Sequence, residues 1–209
     1  MIWIEKIRWK SKRLKSAINL ENLLSLESRC VQERLYGLAL EMLERHFWDV
    51  FVVDALLGNF DRHNGNWGFL FDEITGESSI APIYDCGSCL LPQADEKIMN
   101  EVLSNEDALH SRVYLYPTSA IKQNDRKINY RDFLMSSEYE GCSEAVKRIV
   151  HRVDMEVISE FIDSTPYLSD LQKAFYKHYI KARYNLILVP AFDLAVSLEQ
   201  EPNKPIMGM

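Results

Sequence analysis

The sequence predicts an α+β fold, predominantly helical, with one small β-hairpin. Apolar residues recur at helical spacing through most of the chain, while a single short stretch alternates instead. The composition, 47% apolar and 26% charged over 209 residues, is that of one globular domain with a sizeable core. A net charge of -7 argues against a nucleic-acid binder held by bulk electrostatics. No apolar run approaches the ~20 residues of a membrane span, because Asp49 and Asp54 interrupt the longest one. Residues 1–15 lack the apolar centre of a signal peptide, so a reducing cytoplasm is the expected compartment.

Residues 1–15 carry Lys6, Arg8, Lys10, Lys12, Arg13 and Lys15 against Glu5, interleaved with Ile2, Trp3, Ile4, Ile7 and Trp9. No period decides between a strand, an interfacial helix and the torn edge of a longer sequence, and we expect 1–18 to be a basic, poorly anchored segment. Residues 19–27 read as a short helix packed through Leu20, Leu23, Leu24 and Leu26. From about Arg34, Leu35, Ala39, Met42, Leu43, Phe47, Val50, Val53 and Leu57 keep helical spacing up to Gly58, which suits a C-terminal cap. Asp49 and Asp54 on this helix either tether the loop that follows or take ordinary exposed or capping roles. Trp67, Phe69 and Phe71 then alternate along a strand, 72–79 supplies turn residues, and 80–84 returns.

Beyond the hairpin, 93–112 reads as one helix that can break near Asn105, and 114–129 as a connecting loop with Pro117. Asn129 is placed to cap a short helix through Met135. A longer helix over 143–162 carries the stripe Val146, Ile149, Val150, Val153, Val157, Ile158 and Phe161. Another over 168–188 carries Leu171, Phe175, Tyr179, Ala182 and Leu186. Pro190 ends the pattern, a short apolar piece runs to Leu198, and 199–209 is expected to be a flexible tail.

The chemistry concentrates between Gly58 and Gly87, which hold five of the eight glycines. Asp61 and Asn66 have the spacing D-x-x-x-x-N of a kinase catalytic loop, and Asp85 opens a DFG-like Asp85-Cys86-Gly87. The hairpin would bring Asp85 back beside Asn66. Phosphoryl transfer asks for positioning and for neutralised phosphate charge, and hard magnesium takes a carboxylate and an amide oxygen together with water and phosphate oxygens. Asp61 would stay free of metal to accept a hydroxyl proton, while Arg62 and His63 pair with phosphate or fix the loop. Asn, Asp and Gly also make ordinary turns, and D-x-x-x-x-N alone is a weak motif. The cysteines, Cys30, Cys86, Cys89 and Cys142, include one C-x-x-C without a second pair, so zinc is not expected and Cys86 and Cys89 read as packing residues.

The longer string GNFDRHNGNWGFL, followed by IAPIYDCGSCL and preceded by FWDVFVVDALLGN, resembles the catalytic core of HipA-like serine/threonine kinases over roughly 47–93. The resemblance implies a kinase-like C-terminal lobe over 19–198. It makes Asp61 the catalytic base, His63, Asn64, Gly65, Asn66, Tyr84 and Asp85 the nucleotide contacts, and Asn66 and Asp85 the metal ligands. Mg2+ and ATP are the implied cofactors and a protein the implied substrate; since many HipA-like kinases are toxins, an antitoxin is a further implied partner. Phosphatidylinositol kinases share a DRHxxN loop, but their second motif differs from IAPIYDCG. A kinase also needs a small sheet, a Gly-rich loop and a lysine above the nucleotide, in roughly 50 to 70 residues. The first glycine is Gly37, so the N-terminal lobe is expected to be absent and the isolated chain weakly active or inactive, unless a separate chain supplies that lobe. A truncated kinase kept as a binding protein and a metal-dependent phosphohydrolase built on Asp61, Asn66 and Asp85 are the competing readings.

Overall fold

The computed structural model describes residues 2–6, 40–72, 74–75 and 77–200. The helix expected at 19–27 lies outside them, as do 7–18 and 201–209. The elements begin with β1 (Ile2–Lys6), α1 (Leu40–Leu57), β2 (Gly68–Asp72), β3 (Ser78–Ile80), α2 (Glu96–Ser104) and α3 (Glu106–His110). They continue with β4 (Lys122–Gln123), β5 (Arg126–Lys127), α4 (Tyr130–Ser136), α5 (Glu140–Val150), α6 (Met155–Ser164), α7 (Asp170–Arg183) and α8 (Val189–Gln200).

Helix α1 runs through the core. Phe47, Trp48, Phe51, Val52 and Ala55 are buried against α5 and α7, and fully burying each large side chain contributes about 1.5–3 kcal/mol. Trp48 packs edge-on to Phe51 at 5.9 Å and stacks with Phe133 at 6.0 Å, which fastens α4 to α1. A Cβ on Gly141 would lie 2.7 Å from Trp48 Cδ1, so α5 approaches this closely only because a glycine stands there. The helix ends as the sequence predicts: Gly58 is left-handed at φ 67, and a Cβ there would come within 2.8 Å of the Tyr179 hydroxyl. Buried Arg183 then donates from Nε to Ala55 O at 2.8 Å and from Nη1 to Val113 O at 3.3 Å, capping carbonyls that the helices leave unpaired.

The sheet has the order β1-β2-β3, antiparallel throughout, where the sequence predicted a two-stranded hairpin. Ile2 to Lys6 pair with Asp72 to Gly68, so these five residues correct the expectation of a poorly anchored head. A two-stranded hairpin leaves both edges of β2 and β3 unpaired, and a third strand satisfies one of them. The return strand is shorter than predicted: Ala81 N still donates to Gly68 O at 2.9 Å, but Pro82 has no N–H and the ladder stops.

The helical remainder follows its caps. Asn105 accepts from the N–H groups of Asp107 and Ala108 at 2.9 and 3.2 Å, which divides α2 from α3 at the expected place. Asn129 caps α4 by accepting from Asp132 N at 3.1 Å. The single helix predicted over 143–162 is two, because Asp154 accepts from Glu156 N and Val157 N and restarts the helix as α6. Pro190 does not end the pattern. Tyr184–Leu188 form a π-helical turn, and the helix continues directly from it as α8 with Pro190 at its second position. The predicted loop at 114–129 contains the β4–β5 hairpin, closed by Asn124 and Asp125 at φ 50 and 61, a two-residue turn that the sequence reading overlooked. Of the tail expected from 199, Glu199 and Gln200 continue α8. No helix among the described residues is long and apolar enough to cross a membrane.

Candidate active site

The loop leaving α1 is built on one buried ion pair. Arg62 donates from Nε to Asp54 Oδ2 and from Nη2 to Asp54 Oδ1, both at 2.8 Å, and the two side chains are 1% and 2% exposed. Burial opposes the charge on Arg62, but the hydrogen bonds and charge of Asp54 outweigh it, and the guanidinium pKa is raised. The same guanidinium donates from Nη1 to Tyr84 O at 2.7 Å and from Nη2 to Cys86 Sγ at 3.7 Å. It therefore joins the helix, the loop and the stretch after β3. Buried Asn59 completes the mount: its Nδ2 donates to Asp54 Oδ1 at 2.9 Å, its Oδ1 accepts from Asp61 N at 3.1 Å, and its carbonyl accepts from the Tyr130 hydroxyl. Asp61 itself is exposed.

Asn64–Asn66 form a tight 3₁₀ turn. Gly65 N donates to His63 Nδ1 at 3.0 Å, which places the proton of a neutral ring on Nε2. A Cβ on Gly65 would lie 3.0 Å from His63 Cε1, so a glycine suits this close approach. The Tyr84 hydroxyl donates to Trp67 O and to Gly65 O, the latter at 3.1 Å, and burial pushes its pKa up, with Arg62 opposing and Asp85 adding. The two stretches that carry the expected site residues thus meet. Asp85 lies exposed between Tyr84 and Cys86, both bonded to Arg62, in a left-handed conformation at φ 57. A non-glycine residue held there costs about 1–2 kcal/mol, strain of a kind that clusters at functional sites.

Asn66 is 4% exposed and its Oδ1 is buried without a hydrogen-bond partner. Such an acceptor costs about 1–3 kcal/mol, a cost that a cation removes. Asn66, Arg62, Trp67, Tyr84 and His46 line a cleft of about 210 Å³, its open mouth included. Burial lowers the His46 pKa, helped by Arg62 and opposed by Asp49, and the ring meets Trp67 edge-on at 5.7 Å. An amide oxygen and a carboxylate are hard donors that fit magnesium, which commonly takes one or two protein ligands and completes its octahedron with phosphate and water. No group of three or more His, Cys, Asp or Glu among the described residues could hold a metal. Asn66 lines that cleft, whereas Asp61 and Asp85 are not among its lining residues.

No protein-family model matches the chain. The serine/threonine-protein kinase CtkA of Helicobacter pylori strain J99 is 48% identical over 159 residues, 76% of this chain and 49% of that protein. The crystal structure of a Helicobacter pylori proinflammatory kinase CtkA superposes with a TM-score of 0.85 at 39% identity, covering 95% of this chain and 73% of that one. The chain belongs to the CtkA kinase family. It spans about half the length of the curated CtkA relative. The mainly helical architecture with its small antiparallel sheet is accordingly that of a CtkA-type kinase fold. For this CtkA-family chain the sequence reading left Asp54 undecided and missed Asn59 and Tyr130 altogether. Asp54 had a signal, since it shares a helix face with Phe47, Val50 and Leu57, and an acid on an apolar face needs a buried partner. Tyr130 had none: its partner lies 71 positions away. Cys86 is exposed rather than packed, which corrects the packing expectation.

Proposed function

We propose that this chain carries the catalytic machinery of a HipA-like serine/threonine protein kinase, which moves the γ-phosphoryl group of ATP to a serine or threonine hydroxyl of a protein substrate. The observation that carries the reading is the Asn66 side-chain oxygen, buried without a donor at the cleft, on a loop that Arg62 clamps to the neighbours of Asp85. Asn66 and Asp85 are the residues that would hold magnesium. The ion would supply positive charge against the phosphates of the nucleotide. Asp61, one residue from the clamp yet exposed, takes the proton of the attacking hydroxyl. His63, Asn64, Gly65 and Tyr84 border the nucleotide phosphates, with Gly65 keeping the backbone low enough for close approach. Arg62 acts as a positioning residue, because its Nε, Nη1 and Nη2 already have partners in Asp54, Tyr84 and Cys86.

The enclosed part of the cleft is only about 10 Å³, far below the ~300–1,000 Å³ that usually encloses a whole small ligand. The reading therefore includes further protein above the nucleotide, from outside the described residues or from a separate N-terminal-lobe chain, and weak ATP binding without it. An antitoxin is the additional partner that the HipA-like reading brings. The test combines calorimetric titration of ATP with and without magnesium and a phosphate-transfer assay on a protein substrate. Asp61→Ala should keep nucleotide binding and abolish transfer, whereas Asn66→Ala and Asp85→Ala should each lower Mg-ATP affinity. ATP binding indifferent to both changes, or transfer that survives Asp61→Ala, sinks the assignment.

A further inference from the structure

Directly after Asp85 the chain turns through Cys86, Gly87, Ser88 and Cys89. Cys89 N donates to Cys86 O at 3.1 Å, which closes a four-residue turn. The end Cα atoms of such a turn lie within about 7 Å, and disulfides span about 4.4–6.8 Å between Cα atoms. The turn therefore holds the two residues within the span of a disulfide. Cys86 is exposed and also accepts from the Arg62 guanidinium at 3.7 Å, while Cys89 is half-buried. Gly87 between them has open space where a Cβ would stand, so the turn has room to adjust.

We propose that Cys86 and Cys89 are a hydroperoxide-sensitive thiol pair, in which the exposed Cys86 is oxidised first and Cys89 closes the disulfide. In the first step the Cys86 sulfur takes one oxygen from a hydroperoxide; the O–O bond breaks, the sulfur becomes a sulfenic acid, and the peroxide leaves as an alcohol or water. In the second, the Cys89 sulfur displaces the sulfenic hydroxyl, an S–S bond forms, and the Cys89 proton departs with the hydroxyl as water. The two thiols lose two electrons and the peroxide gains them. Burial pushes the Cys89 thiol up to about 12, with Asp54 and Cys86 adding and Arg62 opposing, so Cys89 keeps its proton until that step. A dithiol reverses the reaction. The disulfide replaces the thiol contact that Arg62 holds one residue from Asp85, and the pair does not depend on the kinase reading.

The experiment exposes the full chain to dilute hydrogen peroxide, blocks remaining thiols by alkylation and maps the cysteines by peptide mass spectrometry. The expected result is loss of two hydrogens from the peptide holding Cys86 and Cys89, reversed by dithiothreitol, while buried Cys142 stays a thiol. In Cys89→Ala the reaction should halt at the sulfenic acid, trapped by dimedone on Cys86. The proposal is overturned if wild-type Cys86 and Cys89 oxidise no faster than Cys142, or if the pair acquires oxygen atoms without ever forming the internal disulfide. The wild-type map needs no variant to fold.

Discussion

Replacing Asp54 with Asn tests whether the loop depends on the buried ion pair. The substitution keeps the size and one acceptor oxygen but leaves the Arg62 guanidinium, 1% exposed, without its counter-charge. Removing one partner of a buried pair costs about 3–5 kcal/mol, and the retained oxygen puts Asp54→Asn near the lower end, ~3 kcal/mol. Asp49 supplies an internal control on the same helix. It takes Arg148 Nη2 at 2.7 Å, but its side chain is 24% exposed, and a solvated pair of this kind is worth about 0–1 kcal/mol. Urea unfolding followed by tryptophan fluorescence reads both variants, since Trp48 is buried on the helix that carries Asp54 and Asp49. With a slope of about 2–3 kcal/mol per molar urea, Asp54→Asn should lower the midpoint by roughly 1–1.5 M and Asp49→Asn by less than about 0.5 M. Equal shifts in the two variants would show that the Asp54–Arg62 pair is no more consequential than a surface contact, and the reasoning about the loop would fall with it.

Gly58→Ala should destabilise by about 2–4 kcal/mol, combining a left-handed alanine at ~1–2 kcal/mol with crowding against Tyr179 and Pro117, and thermal unfolding measures it. Asn66→Ala should leave stability unchanged or raise it by up to about 1 kcal/mol, because it deletes an unpaired buried acceptor, while Mg-ATP affinity falls. A large loss of stability with unchanged affinity would reverse that view of Asn66. His46 has a folded pKa below its ordinary 6.5, chiefly through burial, so the unfolded chain binds its proton more readily. Its contribution to stability is present above about pH 6.5 and is lost as pH falls through the lower folded value. Urea midpoints at about pH 7.5 and pH 5 should therefore differ less in His46→Gln than in the wild type.

Local signals carried far in this chain. Gly58 at the end of an apolar helix, Asn105 and Asn129 as caps, and the alternation at Trp67 to Phe71 each act within a few residues, and the structure follows each of them. The loop and the Asp85 turn were legible because their residue types are specialised and densely spaced. What escaped depended on a distant partner in one case and on backbone geometry in the others. Residues 2–6 form a strand only because β2 offers an edge more than sixty positions later. Pro190 reads as a stop, yet the helix continues from the π-helical turn before it directly into α8. The stripe over 143–162 is a single pattern, yet Asp154 restarts the backbone within it. Cys86 looks like a packing residue in a string, and only the turn's exposure reveals it as an accessible thiol.

The supports of the loop that leaves α1 also set when it can form during translation. Tyr130 reaches back 71 positions to Asn59, and Arg183 reaches back 128 positions to Ala55 at the end of the same helix. At ~5–20 residues per second, the ribosome needs on the order of 6–25 s to add that longer interval. Between Asp85 and Arg183 the nascent chain already carries Asp61, Asn66 and Asp85 but still lacks the guanidinium that braces the end of α1. A ribosome stalled between Asp85 and Arg183 would thus release a fragment that holds those three residues without that brace.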